Sequence, residues 1–235
     1  MIFSAKGNKE ELDITWGLFL EPFVEPCSIY DEHLNISHTV TPPLMTGDMS
    51  VFSNGSYMTT GSLTYDAYGQ KIRTTSFGSM GNQSFVVDQL MLFREKVYYE
   101  IDWQTFTCQK KPLDASFVPM HVPEDAEMMG QYILGSSSSW GMGLLVNNWY
   151  GNLPGNATYI TTFTDIGCIP LTTSVFGPDT EMIFVSTFNW VIGISDPSDL
   201  SPPSFCSKAQ VEQSATPDNF FTALASLAMK AQRTD

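Results

Sequence analysis

The stretch 181-EMIFVSTFNWVIGISDPSDLSPPSFC-206 decides the fold. Met182, Phe184, Phe188, Trp190, Ile192 and Ile194 share one parity, while Ile183, Val185 and Val191 occupy the other. A strand that is apolar on both sides lies inside a β structure, where each face is covered. Asp196-Pro197 and Pro202-Pro203 then forbid continued pairing, because proline has no N–H to give to a ladder. Cys206 follows three residues after that break, where a covalent anchor could hold the chain end.

Working outward, the rest of the chain carries strand signals of the same kind. Met49-Ser-Val-Phe52 runs into the turn dipeptide Asn54-Gly55. Ser62–Tyr65 and Lys71–Thr75 flank Asp66-Ala-Tyr-Gly69 as a hairpin. Phe85–Phe93 is apolar on both parities apart from Asp88 and Gln89. Val97, Tyr99, Ile101 and Trp103 alternate with Tyr98, Glu100 and Asp102, which predicts the first set inward and the second outward. Arg94-Glu-Lys96 is the solvated turn before them. Gln131–Leu134, Trp140–Tyr150, Tyr159–Thr164 and Ile169–Phe176 bring the total to about ten strands. Pro112–Glu127 reads as a loop in which Glu124-Asp-Ala-Glu127 could open a short helix.

The fold expected is mainly β, an antiparallel sandwich or open barrel. Three regions follow. Residues 1–45 form an irregular N-terminal arm, broken by Pro22, Pro26, Pro42 and Pro43. Residues 46–213 form the β domain. Residues 214–235 form a C-terminal amphipathic helix packing on the same domain, with Thr216 as N-cap, Pro217 in the first turn, and Phe220, Leu224 and Leu227 at helical spacing.

Charge narrows the partners. Lys and Arg total 11 against 25 Asp and Glu, a net charge of −14 at pH 7. That field repels phosphate backbones and excludes nucleic acid as a partner, while it favours cations. No apolar run approaches the ~18–20 residues needed to span a bilayer, so no transmembrane segment is expected. The opening MIFSAKGNKEELDITW turns acidic too early for a signal peptide, so if the chain is secreted its signal is expected to have been removed or replaced.

Cys27, Cys108, Cys168 and Cys206 contain no CxxC pair, which argues against a redox motif or zinc finger and leaves two disulfides or four buried thiols. Four N-glycosylation sequons, at Asn35, Asn54, Asn82 and Asn156, exceed the roughly two that chance would place. Sequons, cysteines and acidic composition together point outside the cytosol.

Residues for catalysis are poorly placed. His33 and His38 beside Asp31 and Glu32 resemble a polar surface loop more than a zinc cluster, and His121 stands alone between prolines. There is no G-x-S-x-G and no phosphate loop, and Gly135-Ser-Ser-Ser-Ser-Trp140 reads as a flexible turn. Glu124, Asp125 and Glu127, or Asp196 and Asp199, could offer calcium oxygens, but neither set has EF-hand spacing. No enzyme is expected. The apolar residues Val97, Tyr99, Ile101, Trp103, Met142, Leu144, Phe184, Phe188 and Trp190 are accounted for by core packing alone. They also suit a ligand cavity if two sheets stand apart, with 12 methionines to adapt it.

Four stretches together resemble the ependymin-related proteins. Leu63-Thr-Tyr-Asp-Ala-Tyr-Gly-Gln-Lys-Ile-Arg73 is similar to that family's YD…N-Q-R-V-R hairpin. Phe93-Arg-Glu-Lys-Val-Tyr-Tyr-Glu-Ile-Asp102, followed by Cys108, resembles Y-K-x-G-V-x-F-x-I-D…C. Cys168-Ile-Pro170 matches C-x-P. Gly193-Ile-Ser-Asp-Pro-Ser-Asp-Leu-Ser-Pro-Pro-Ser-Phe-Cys206 resembles G-I-x-D-P-x-x-F-x-P-P-x-x-C, the most specific of the four. The resemblance covers about residues 45–213 and leaves the N-terminal arm and the last helix aside.

What it implies is a secreted glycoprotein with two stacked antiparallel sheets around a deep apolar cavity, like bacterial lipoprotein carriers. It implies the disulfides Cys108–Cys206 and Cys27–Cys168, and this chain lacks a further family bridge at both of its ends. The expected function is non-catalytic binding of a lipid or other hydrophobic molecule in the cavity. The alternative is a calcium-dependent extracellular-matrix or cell-adhesion role. No cofactor is required, calcium is the ion the family implies with its ligands unassigned, homodimers are implied, and the lysosome stands as a second compartment beside secretion.

Overall fold

The computed structural model describes residue 27 and residues 41–53, 57–80, 83–123, 126–153, 157–176 and 182–211. Strands β1 (Leu44–Ser53), β2 (Tyr57–Asp66), β3 (Lys71–Met80), β4 (Gln83–Leu92), β5 (Val97–Asp102) and β6 (Thr107–Pro112) form a meander. After a long connection come β7 (Glu127–Gly135), β8 (Gly143–Leu153), β9 (Ala157–Thr164), β10 (Pro170–Phe176) and β11 (Ile183–Ile192). Two 3-10 turns follow, Pro197–Leu200 and Ser204–Lys208. The mainly β, antiparallel class holds. The two stacked sheets expected from the sequence are one: all strands join a single 11-stranded sheet in the order β6-β5-β4-β3-β2-β1-β11-β10-β9-β8-β7. The join is the non-local pair β1–β11, with Val51 opposite Val185 and Phe52 opposite Phe184.

The connection 113–126 fixes the curvature. It runs between strands at opposite edges of the sheet, and β6 and β7 point the same way, so it must also climb the sheet's height. Fully extended it would reach only roughly 45–50 Å, about the width of the flat sheet alone at ~4.8 Å per strand. It is not extended, since Leu113, Ala115, Phe117 and Met120 pack on one core cluster and Val122 and Ala126 on another. The sheet therefore curls, and this strap crosses its concave face. Tyr65, held above its usual pKa by burial, is stacked on Phe117 at 5.9 Å and accepts the Met120 N–H at 3.1 Å.

Cross-strand partners share a face, so the registers assign every strand. Met45, Met49 and Val51 on β1, Leu63 and Tyr65 on β2, Ile72 on β3, Met91 on β4, Tyr98 on β5 and Val185 on β11 form the concave core. Trp149, Tyr159, Phe163, Cys27 and Cys168 form the concave core of the other half. On the convex face Leu90, Leu92, Tyr99 and Ile101 are covered by Leu200 and Cys206. β5 is thus covered on both sides. Tyr98, expected outward, is buried, because the edge of the strap lies on its face.

Two further expectations are corrected. The parity that put Phe184, Phe188 and Trp190 on one face breaks at a bulge: Asp48 faces Phe188, but Thr46 faces Val191, leaving one extra residue in β11. Asn189 adopts φ 55 there, and Trp190 turns to the concave face, where its ring lies over Gly47. A Cβ at Gly47 would meet that ring at 2.7 Å, so only glycine permits the approach. Glu127 opens β7 instead of closing a helical turn, and Thr107–Pro112, to which the sequence assigns no element apart from Pro112 at the head of its loop, is the edge strand β6. The expected arm before residue 41, apart from Cys27, and the 214–235 helix lie outside the described residues, as do Asn35, Asn54, Asn82, Asn156, His33, His38, Glu124 and Asp125.

The cysteines pair as the family resemblance implied: Cys27–Cys168 and Cys108–Cys206. The second bridge ties the segment after β11 to β6 across the convex face.

Candidate ligand-binding site

Two polar groupings interrupt the apolar faces, and they sit back to back on β3 and β4. The first is on the convex side. Arg73 donates to Asp88 through Nε at 2.9 Å and Nη2 at 2.7 Å, and Trp103 Nε1 adds a bond to the same carboxylate at 2.6 Å. Arg73 Nη1 reaches the Asp199 carbonyl at 2.8 Å and Lys71 Nζ the Leu200 carbonyl at 3.3 Å. Donating these hydrogen bonds to Asp88 keeps the Arg73 guanidinium charged to still higher pH than usual. Asp88 is 3% exposed, so this fork stays out of bulk water. Around it lies a cleft of about 210 Å³ lined by Ser62, Thr64, Arg73, Thr75, Asp88, Trp103 and Asp199. Its chemistry is clamping: the sheet grips the segment that returns from β11.

The second grouping is on the concave side. Thr74 faces Gln89 across β3 and β4, and Ser76 follows on the same face. Gln89 and Thr74 are fully buried and Ser76 nearly so, yet Thr74 Oγ1, Ser76 Oγ and both amide atoms of Gln89 have no hydrogen-bond partner. They lie beside Leu63, Ile72 and Met91 of the concave core. Trp149 Nε1, on the concave face of the other half, is likewise buried and unpartnered. Unpaired polar atoms inside apolar packing are rare in folded proteins and ask for an explanation. Lys111 and Glu100, one strand further on, are joined as an ion pair.

The residues proposed from sequence as cavity walls are placed in four separate locations. Val97, Tyr99 and Ile101 lie on the convex face beneath Leu200 and Cys206, with Trp103 in the following turn, edge-on to Phe205 at 5.3 Å. Phe184 and Phe188 lie on the convex face of β11, where Phe184 meets Phe52 at 6.4 Å. Met142 and Leu144 lie at the start of β8, far along the sheet. Trp190 alone among them is seated in the concave core, its Nε1 donating to the Pro170 carbonyl at 2.9 Å. Thr74, Ser76 and Gln89 were not singled out from sequence. The break that Asp88-Gln89 makes in the apolar run 85–93 was the available signal, since one of the pair must face each side. Among the described residues no three His, Cys, Asp or Glu side chains are grouped to hold a metal ion, and no helix is long and apolar enough to cross a membrane.

An open, curled antiparallel sheet, strapped across its concave face and closed by two disulfides, is the class of protein these features define. A family model described as Ependymin matches residues 81–206. Ependymin-2 of Carassius auratus is 31% identical over 183 residues, 77% of this chain and 85% of that protein. Ependymin of Notemigonus crysoleucas is equally similar, at 31% over 183 residues. Mammalian ependymin-related protein 1 of Mus musculus is 27% identical over 154 residues, covering 64% of this chain and 67% of its own. The chain belongs to the ependymin family. Among solved structures, an uncharacterized conserved protein from Thermus thermophilus aligns with a TM-score of 0.47 and 10% identity, over 73% of this chain and 90% of that one.

Proposed function

We propose that the protein is a secreted, non-catalytic carrier of an amphiphilic molecule, held against the concave face with its polar group at Thr74, Ser76 and Gln89. The observation that carries this reading is the buried, unpartnered state of those side chains amid an apolar lining. Binding sites for small molecules combine apolar walls with a few convergent polar groups. Each buried polar atom left unpaired costs about 1–3 kcal/mol, and Gln89 contributes two. A head group that supplies the partners recovers energy on the scale of a domain's whole net stability. Met45, Met49, Met91 and Met120 line or flank the same face, and methionine adapts to variable acyl chains. The strap 113–126 is the element that a ligand would displace. Disulfides and sequons agree with export to an oxidising compartment.

Native mass spectrometry of protein recovered from secreting cells, followed by solvent extraction, tests this. The wild-type chain is expected to carry one amphiphile. Gln89→Leu is expected to release it while raising the stability of the empty protein by about 1–2 kcal/mol. A chain that carries nothing, or a Gln89→Leu variant that still holds its lipid, rejects the reading.

A further inference from the structure

From Met128 through Thr164 the chain has no Asp, Glu, Lys, Arg or His, in a protein of net charge −14. That span is the β7–β8 hairpin and β9, one flank of the sheet. At the hairpin's tip Trp140 is 102% exposed, and Leu134, Met142 and Leu144 around it are about half exposed. Asp165 ends the uncharged span, but its Oδ1 accepts from Asn147 Nδ2 at 2.9 Å and Gln131 Nε2 at 3.0 Å, which ties the carboxylate to the sheet. The backbone bond from Asp165 N–H to the Leu145 carbonyl, 2.9 Å, sets exposed Ile166 beside the hairpin base.

We propose that this tip, with the β9–β10 turn beside it, docks on an uncharged lipid surface. Clustered exposed apolar side chains mark partner or membrane contacts, and tryptophan prefers the bilayer interface, where its ring is half in lipid and half in water. The deeper a tip enters, the more of its backbone groups must be satisfied internally, since the hydrocarbon offers no water to pair with them. The tip meets part of this condition: Ser136 N–H bonds the Met142 carbonyl at 2.9 Å, Met142 N–H the Ser139 carbonyl at 3.3 Å, and Ser138 N–H the Ser136 hydroxyl at 3.1 Å. Charge selects the partner. Elsewhere the chain's acidic surface is repelled by anionic head groups, whereas residues 128–164 carry no charge to be stripped of water and the one carboxylate beside them, Asp165, is bonded to Asn147 and Gln131. Exposed apolar side chains also occur elsewhere, Phe52, Met58, Phe77 and Val86 toward the opposite end of the sheet and Val191 and Ile192 at the end of β11, but none of these lies in an uncharged span of comparable length.

The test is co-sedimentation of the full chain with phosphatidylcholine vesicles, with and without phosphatidylserine. The wild type is expected to bind phosphatidylcholine, with a blue shift of tryptophan emission that Trp140→Phe removes. Trp140→Ser with Met142→Ser is expected to cut binding by about tenfold or more while thermal unfolding stays unchanged, since both side chains are exposed. Phe77→Ser, toward the other end, should leave binding intact, and phosphatidylserine should weaken it. Absence of vesicle binding, binding that needs the anionic lipid, or binding indifferent to Trp140 and Met142 overturns the proposal. So does a dimer in solution that the double variant dissociates, which would assign the tip to a second copy of the chain. Docking stands apart from the carrier reading: vesicle binding by a chain that carries no amphiphile keeps the first and removes the second.

Discussion

Asp88 holds three pieces of chain together. Its carboxylate takes two bonds from Arg73 and one from Trp103, and Arg73 passes the grip on to the Asp199 carbonyl. With side chains 2% and 13% exposed, the pair is buried enough for removal of one partner to be severe. Asp88→Ala is expected to cost about 3–5 kcal/mol in urea denaturation, because it strands a buried guanidinium. Replacing both, as Arg73→Met with Asp88→Leu, should cost far less, since no unpaired charge remains. A smaller effect belongs to Asp102 in the β5–β6 turn. Its carboxylate accepts from the Thr105 hydroxyl at 2.7 Å and from the Gln104 N–H at 2.8 Å and Thr105 N–H at 3.2 Å, and these bonds hold its pKa below the usual value. A depressed folded-state pKa contributes stability above the unfolded value and loses it as pH falls through the folded one. Asp102→Asn should therefore be less stable than wild type at neutral pH, and the gap should close in acid below the ordinary carboxylate range. An equal gap at pH 7 and in strong acid would contradict this.

Strand β11 carries the sheet because it is the only partner β1 has besides β2, and one residue sets its faces. Asn189 at φ 55 donates to Asp48 Oδ2 at 2.7 Å and shifts the register so that Trp190 faces the concave core. Asparagine tolerates this left-handed backbone, whereas a β-branched residue does not. Asn189→Val is expected to cost about 1–3 kcal/mol, and Asn189→Gly less than half of that, as read by thermal unfolding. A valine variant as stable as the glycine one would remove the bulge from the account. This also marks where the sequence stopped being legible. Period-two alternation revealed β5 and β11 as strands, since Val97–Ile101 and Ile183–Val191 have no other reading. It could not reveal the bulge, because nothing in Phe188-Asn-Trp190 distinguishes a strand asparagine from a bulge asparagine. Nor did it reveal β6: Thr107–Pro112 has little apolar content and gains its place by pairing with β5 and through Cys108. The single sheet was hidden because β1 and β11 are joined by contacts remote in sequence. In the site, Asp88 and Gln89 were visible as polar breaks, but only the registers show that they face opposite sides.

At the scale of the molecule, the convex clamp and the second disulfide are one device. The segment 193–206 leaves β11, crosses the face of β3–β6 and is fastened at both ends, by Arg73 and Lys71 to the carbonyls of Asp199 and Leu200 and by Cys206 to Cys108. Beneath it Leu90, Leu92, Tyr99 and Ile101 are kept from water. The bridge closes a loop of 98 residues, and in the chain-entropy model such a loop contributes up to ~4.7 kcal/mol, with measured losses of about 2–5. Two fastenings on one segment must interact: once either is gone, the segment lifts more easily and the other restrains less. Cys108→Ser with Cys206→Ser is therefore expected to cost about 2–5 kcal/mol and to raise binding of a hydrophobic dye as the convex core is uncovered. Combined with Asp88→Ala, the total should fall short of the sum by about 0.5–3 kcal/mol, the range of coupled neighbours. The bond that ties Cys27 to Cys168 lies on the other half of the sheet, so Cys27→Ser with Cys168→Ser should add to Asp88→Ala within about 0.5 kcal/mol. Urea titrations of these variants decide it: additivity in both cycles would mean that clamp and bridge hold the segment independently.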